Sequence, residues 1–175
     1  GFLQLTLENV IADHLKPVIA KLEEAGCHIY EGESSLRIKA RSRLEATDIK
    51  TLPYPGFPTD MQAQYMALMT KASGASVITE TVFENRFMHA EELRRMGADI
   101  RINGRSAVVQ GPTLLQGAAV KATDLRAGAA LVIAGLAAEG RTEISNVHFI
   151  DRGYDDLVGK LQRVGAVISR INRAD

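Results

Sequence analysis

The sequence predicts an α/β fold: an inside-out barrel domain of repeated units, with buried helices in the middle and sheets outside. Three observations carry this. First, one pattern is written twice. Thr59-Asp60 opens a stretch poor in charge that runs to Gly74, followed by a β-like run and Arg86; Thr123-Asp124 opens another that runs to Gly140, followed by a β-like run and Arg152. Second, Gly26, Gly97 and Gly165 each close an amphipathic helical stretch, a period of about 70 residues that marks a repeat architecture. Third, the helical stretch Leu125–Ala138 is apolar nearly all round after Arg126, and a helix without a polar face has to be covered on every side. Placing such helices centrally inverts the arrangement of a (β/α)₈ barrel, where strands lie inside.

The elements follow in order. Alternation over Phe2–Leu7 reads as a strand. Leu15–Ala25 reads as an amphipathic helix with Pro17 in its first turn and Gly26 as breaker. A hairpin pairs His28–Tyr30 with Leu36–Ile38, and a short strand near Thr47–Lys50 leads into the loop Pro53–Pro58, whose three prolines forbid helix. Met61–Ala72 is a helix and Val77–Thr81 a strand. The second copy repeats the order: helix His89–Met96, a hairpin turning at Asn103-Gly104, strand Ala118–Ala122, helix Leu125–Ala138 and strand Arg141–Ser145. A third is begun by helix Tyr154–Val164 and a strand starting at Val167-Ile168. The units expected are about 1–75, 76–148 and 149–175, parts of one partial domain.

Composition narrows the function classes. Lysine plus arginine and aspartate plus glutamate balance at 21 each in 175 residues, which argues against general attraction to nucleic acid or membrane. No apolar run approaches the ~20 residues that span a bilayer. A single cysteine, Cys27, fits a reducing cytosol, and no His/Cys cluster has zinc spacing. The chain begins at Gly1 and enters a strand almost at once, so part of a larger protein is expected.

Four ordered motifs carry a resemblance: Pro55–Gln64 (PGFPTDMQAQ), Glu80–Phe87 (ETVFENRF), Ala122–Gly128 (ATDLRAG) and His148–Tyr154 (HFIDRGY). In order and spacing they resemble the bacterial enolpyruvyl transferases, in the branch acting on UDP-N-acetylglucosamine; the match to the shikimate branch is weaker. The resemblance implies domains of three βαβαββ units with the active site in a cleft between two domains, the second absent here. It implies transfer of the enolpyruvyl group of phosphoenolpyruvate to the sugar 3-hydroxyl with release of phosphate, the first committed step of peptidoglycan synthesis, with no metal or organic cofactor. A non-catalytic binding or regulatory module of the same fold is the alternative.

Each site residue has two readings. Asp60 and Asp124 both read as helix N-caps; the resemblance makes Asp60 also the carboxylate that contacts the sugar hydroxyl and takes its proton late, and leaves Asp124 mainly a cap. Arg126 is misplaced for the helix dipole, so either an ion pair with Asp124 or Asp151 or a bound anion compensates it. Arg152 is a solvated arginine or, by resemblance, a clamp on phosphoenolpyruvate, as is Arg126. Arg86 is implied at the cleft in a UDP-sugar or closure role. Val82 is an ordinary strand residue or, by resemblance, a main-chain contact to the nucleotide. Cys27 follows a helix-ending glycine and reads as a half-buried core cysteine, not the family's reactive, fosfomycin-sensitive loop cysteine. That cysteine and the family's Lys-Asn pair are absent, so the chain is expected to form one wall of a site. Unpaired strand edges predict self-association unless further chain covers them.

Overall fold

A computed structural model describes residues 4–172; Phe2 and Leu3 of the predicted first strand lie outside the described residues. Strand β1 (Gln4–Glu8) leads through a 3-10 turn into α1 (Lys16–Glu24), with Pro17 at the tolerated start of the helix. The hairpin β2 (His28–Glu31) and β3 (Ser35–Lys39) follows. β4 (Ile49–Lys50) precedes the Pro-rich loop, the 3-10 turn Thr59–Met61 and α2 (Gln62–Met69). Then come β5 (Gly74–Thr79), α3 (Met88–Arg95), the hairpin β6 (Asp99–Asn103) and β7 (Ser106–Gly111), β8 (Ala119–Lys121) and α4 (Leu125–Ala137). β9 (Glu143–Ser145), α5 (His148–Asp151) and α6 (Leu157–Arg163) complete the order. Gly26, Gly97 and Gly165 follow α1, α3 and α6 with φ of +102°, +96° and +95°, a conformation that only glycine adopts cheaply.

The strands form three sheets, ordered β1-β3-β2, β4-β5-β7-β6 and β8-β9. In the four-stranded sheet β4 and β5 run parallel across α2, whereas β7 is antiparallel to both β5 and β6. The same relations recur in part elsewhere: β8 and β9 run parallel across α4, and β3 is antiparallel to both β1 and β2.

Helices α2 and α4 pack on each other in the interior, α2 also touching β5 and β7 and α4 touching β9. Seven of the eight α2 residues are buried, including Tyr65, Met66 and Met69. In α4, Ala127–Val132 and Ala134 are buried, and small side chains allow close approach. A Cβ on Gly128 would lie 2.5 Å from Ile150 Cγ1, so this glycine seats α5 against α4. Buried helices inside and sheets outside is the architecture that the charge-poor stretches predict.

Three details differ from the sequence reading. Ile133 and Leu136 remain exposed, so α4 is covered on most sides but not all by the described residues. Residues 167–168 form no strand, because no neighbouring strand among those described offers its backbone to them. Helix α2 ends at Met69, where Thr70 Oγ1 donates to the Ala67 carbonyl at 2.7 Å and competes with the helical ladder.

Leu131 is completely buried in the cluster shared by both interior helices. Leu131→Ala is expected to destabilise the chain by about 3 kcal/mol, read as a lowered midpoint in urea unfolding with an unchanged slope.

Candidate functional site

The amino-terminal ends of α2 and α4 meet, and the predicted site residues gather there. The Pro-rich loop aims the first of them. Phe57 is buried edge-on against Tyr65, ring centroids 5.4 Å apart, and Leu52 N–H donates to the Phe57 carbonyl at 3.0 Å. Pro58 then starts the 3-10 turn that carries Asp60. Asp60 is therefore not an N-cap, contrary to the sequence reading: α2 begins at Gln62, and no side chain caps either it or the turn. The extra turn places the Asp60 carboxylate outward, with its side chain 64% exposed.

Asp124 does cap its helix, accepting from the N–H groups of Arg126 at 2.8 Å and Ala127 at 2.9 Å. Arg126 pairs with neither Asp124 nor Asp151 through its side chain. Its Nε donates to Asp60 Oδ1 at 2.5 Å across 66 residues of sequence. Asp151 is instead held by Arg170, which lowers its pKa through hydrogen bonding despite some desolvation.

Arg86 and Arg152 share a local device. Each stands three residues after a phenylalanine and lies over its ring, Arg86 at 4.1 Å from the Phe83 centroid and Arg152 at 5.8 Å from that of Phe149. Cation–π contact holds a guanidinium without consuming its hydrogen-bond donors. Arg86 Nη1 is buried without a hydrogen-bond partner, while its carbonyl accepts from Gln62 Nε2 at 3.3 Å. Arg152 is exposed and follows the short helix α5 rather than leaving a strand directly. Gly153 packs against Leu125, and Gln64 Nε2 donates to the Tyr154 hydroxyl at 3.0 Å, so the loop lies beside both helix ends. Val82 lies in the loop after β5, not in a strand, because its N–H turns to Glu80 Oε1 at 2.9 Å instead of a neighbouring strand. Cys27 is buried, and burial pushes its thiol pKa up, as expected of a core cysteine.

Two buried groups escaped the sequence reading. His89, in the first turn of α3, has Nε2 buried and unpartnered; Thr123 Oγ1 is likewise unpartnered. Burial lowers the His89 pKa to about 4, with Asp124 opposing and Arg86 reinforcing the shift. Glu80 is 1% exposed. Burial opposes its charge, yet donors from Thr51, Phe83, Val82 and Thr59 outweigh that, and its pKa is lowered. The only sequence signal for Glu80 was a carboxylate between two threonines at a strand end.

The arrangement can bind an anion. Two helix amino termini adjoin one exposed carboxylate that is paired with Arg126, and the loops carrying Arg86 and Arg152 touch the first residues of α2 and α4. A groove of about 270 Å³ lies over the loop after β5, lined by Glu80, Phe83, Arg86, Met88 and Arg105. Among the described residues, no three His, Cys, Asp or Glu side chains come together as metal ligands, and no helix is long and apolar enough to cross a membrane.

Residues 2–161 match the family model for EPSP synthase (3-phosphoshikimate 1-carboxyvinyltransferase). The chain belongs to this enolpyruvyl transferase family. It is 63% identical over 164 residues to UDP-N-acetylglucosamine 1-carboxyvinyltransferase 1 of Caldanaerobacter subterraneus subsp. tengcongensis, covering 94% of this chain and 40% of that one. It is 60% identical over 166 residues to the enzyme so named in Desulfofundulus thermocisternus, covering 95% of this chain and 68% of that one. Among solved structures, the enolpyruvyl transferase NikO from Streptomyces tendae superposes with a TM-score of 0.85 at 31% identity, over 93% of this chain and 39% of its own. EPSP synthase from Acinetobacter baumannii, at 16% identity and a TM-score of 0.60, shares the fold alone. The chain thus spans about 40% of the Caldanaerobacter relative's length.

The buried neutral His89 makes stability pH-dependent. Below its ordinary value of 6.5 the unfolded chain takes up a proton that the folded chain refuses until about pH 4. Stability is therefore expected to fall between those values, by on the order of 3 kcal/mol. Glu80 extends the loss downward: its contribution is present above 4.5 and disappears as pH falls through its lower folded value. Urea unfolding across this range should show the slope, and His89→Gln should flatten its upper part.

Proposed function

We propose that this chain forms one wall of the active site of a UDP-N-acetylglucosamine enolpyruvyl transferase, within one partial domain of repeated units. The observation that carries the reading is the Asp60–Arg126 contact at the joined helix ends, with Arg152 on the adjoining loop. The proposed roles are distinct. Arg126 and Arg152 bind the phosphoenolpyruvate anion. Val82 and Arg86 contact the UDP-sugar. Asp60 orients the sugar 3-hydroxyl and accepts its proton as the new C–O bond forms; phosphate then leaves.

The ion pair itself fits this division. An arriving anion competes with Asp60 for Arg126 and so releases the carboxylate toward the hydroxyl. The pair is 64% and 27% exposed, so its own contribution to stability is small, below about 1 kcal/mol. A second domain carrying the reactive cysteine and Lys-Asn pair is the proposed partner; without it, the open edges of β1 and β9 favour self-association. The setting proposed is the cytoplasm, in the precursor step that supports cell wall, shape and division and that fosfomycin targets. The high identity to several enzymes of this name favours it over the shikimate reaction and over a non-catalytic module.

Two outcomes test this. The 175-residue chain alone is expected to release no phosphate from phosphoenolpyruvate plus UDP-N-acetylglucosamine; turnover at a full enzyme's rate would contradict the one-wall reading. Grafted over the matching segment of the Caldanaerobacter relative, it is expected to support turnover. There Asp60→Asn should lower kcat about 100-fold or more while phosphoenolpyruvate binding persists, and Arg126→Ala should weaken that binding. Unchanged kcat in the Asp60 variant would remove Asp60 from the chemistry.

A further inference from the structure

Glu80 is an unusual group to bury. It sits at the end of β5, and its charge is held by hydrogen-bond donors from three separate segments. On one side Oε1 accepts from Thr51 Oγ1 at 2.7 Å and from the N–H groups of Val82 at 2.9 Å and Phe83 at 3.2 Å. On the other, Oε2 accepts from Thr59 Oγ1 at 2.9 Å and Gln62 Nε2 at 3.5 Å. Thr59 adjoins Asp60, and Gln62 opens α2 and reaches on to the Arg86 carbonyl at 3.3 Å. One carboxylate thus ties the turn carrying Asp60 to the loop carrying Val82 and Arg86.

We propose that Glu80 is a positioning residue that fixes the Asp60 turn and the Val82–Arg86 loop relative to each other, so that the sugar hydroxyl meets the carboxylate when the nucleotide part is bound. This rests on the transferase reading above. Glu80 touches no reacting atom; it acts through Thr59 and through the Val82 and Phe83 amides. Ordinary core packing does not explain it, since a buried carboxylate costs several kcal/mol unless its donors are supplied. Here all but the Thr51 hydroxyl come from the two segments whose relative placement matters. The hydrogen bonds to an ionised acceptor are also stronger and more directional than neutral ones.

Glu80→Gln keeps the shape, but the amide offers an oxygen to one side only and turns its NH₂ group toward donors on the other. In the chain itself, amide resonances are expected to shift in Thr59–Gln62 and in Val82–Arg86 together. A change confined to residues 81–83 overturns the tie. In the graft described above, Glu80→Gln is expected to lower kcat about 100-fold, the loss that a misplacement of about 1 Å produces, and to raise KM for the UDP-sugar but not for phosphoenolpyruvate. Thr59→Val should give part of the same loss and Thr59→Ser should restore it. If Glu80→Gln lowers only the melting temperature and leaves kcat and both KM values unchanged, Glu80 is a structural residue and the proposal fails. If the unmodified graft fails to turn over, the transferase reading falls, and the resonances of the isolated chain still decide whether the two segments are tied.

Discussion

The contact between α2 and α4 is the constraint on which the remaining structure depends. Neither helix carries a polar face adequate to meet water, so each has to be covered by the other and by sheets. Alanine and glycine at the contact bring the helices close, and the apolar side chains of β5, β7 and α3 complete the cluster. With the interior so occupied, polar chemistry is displaced to the helix ends. That is where the Asp60 and Arg126 side chains are found, with the loop carrying Arg152 beside them.

The two ends look alike in sequence and differ in geometry. At Asp124 the carboxylate is spent on its own helix, bonded to two backbone N–H groups. At Asp60 a 3-10 turn, set by Pro58 and the buried Phe57, moves the carboxylate off the helix and leaves it for Arg126. A cap and an exposed, ion-paired carboxylate are thereby made from the same Thr-Asp dipeptide. The arginines show the converse, since Arg86 and Arg152 use the same Phe-x-x-Arg device in different surroundings, one partly enclosed and one open.

Much of this was legible in the residues. Helix breakers, the prolines and the charge-poor stretches located nearly every element, because glycine, proline and apolar periodicity act locally. Asp124 as a cap was readable for the same reason. The Arg126 partner was not: it lies 66 residues away, and only the packing of α2 on α4 brings it near. Val82 looked like strand because it and its neighbours Thr81 and Phe83 favour extended backbone, yet a buried carboxylate two residues back captured its N–H and turned the chain. Glu80 and His89 were invisible as buried groups, since a charged or polar side chain gives no local sign that distant donors or neighbours will enclose it. The residues at 167–168 carried strand propensity without a partner strand, and propensity alone does not make a sheet.

If the paired helices are the common support of fold and site, they should lose structure together and last. Native-state amide hydrogen exchange in low urea measures this directly. The expected result is that core amides of Tyr65–Met69 and of Ala130–Ala134 exchange with the same free energy, equal to that of global unfolding and with the same urea dependence. Exchange of the α4 amides through a separate, lower-energy opening while α2 stays protected would contradict the account.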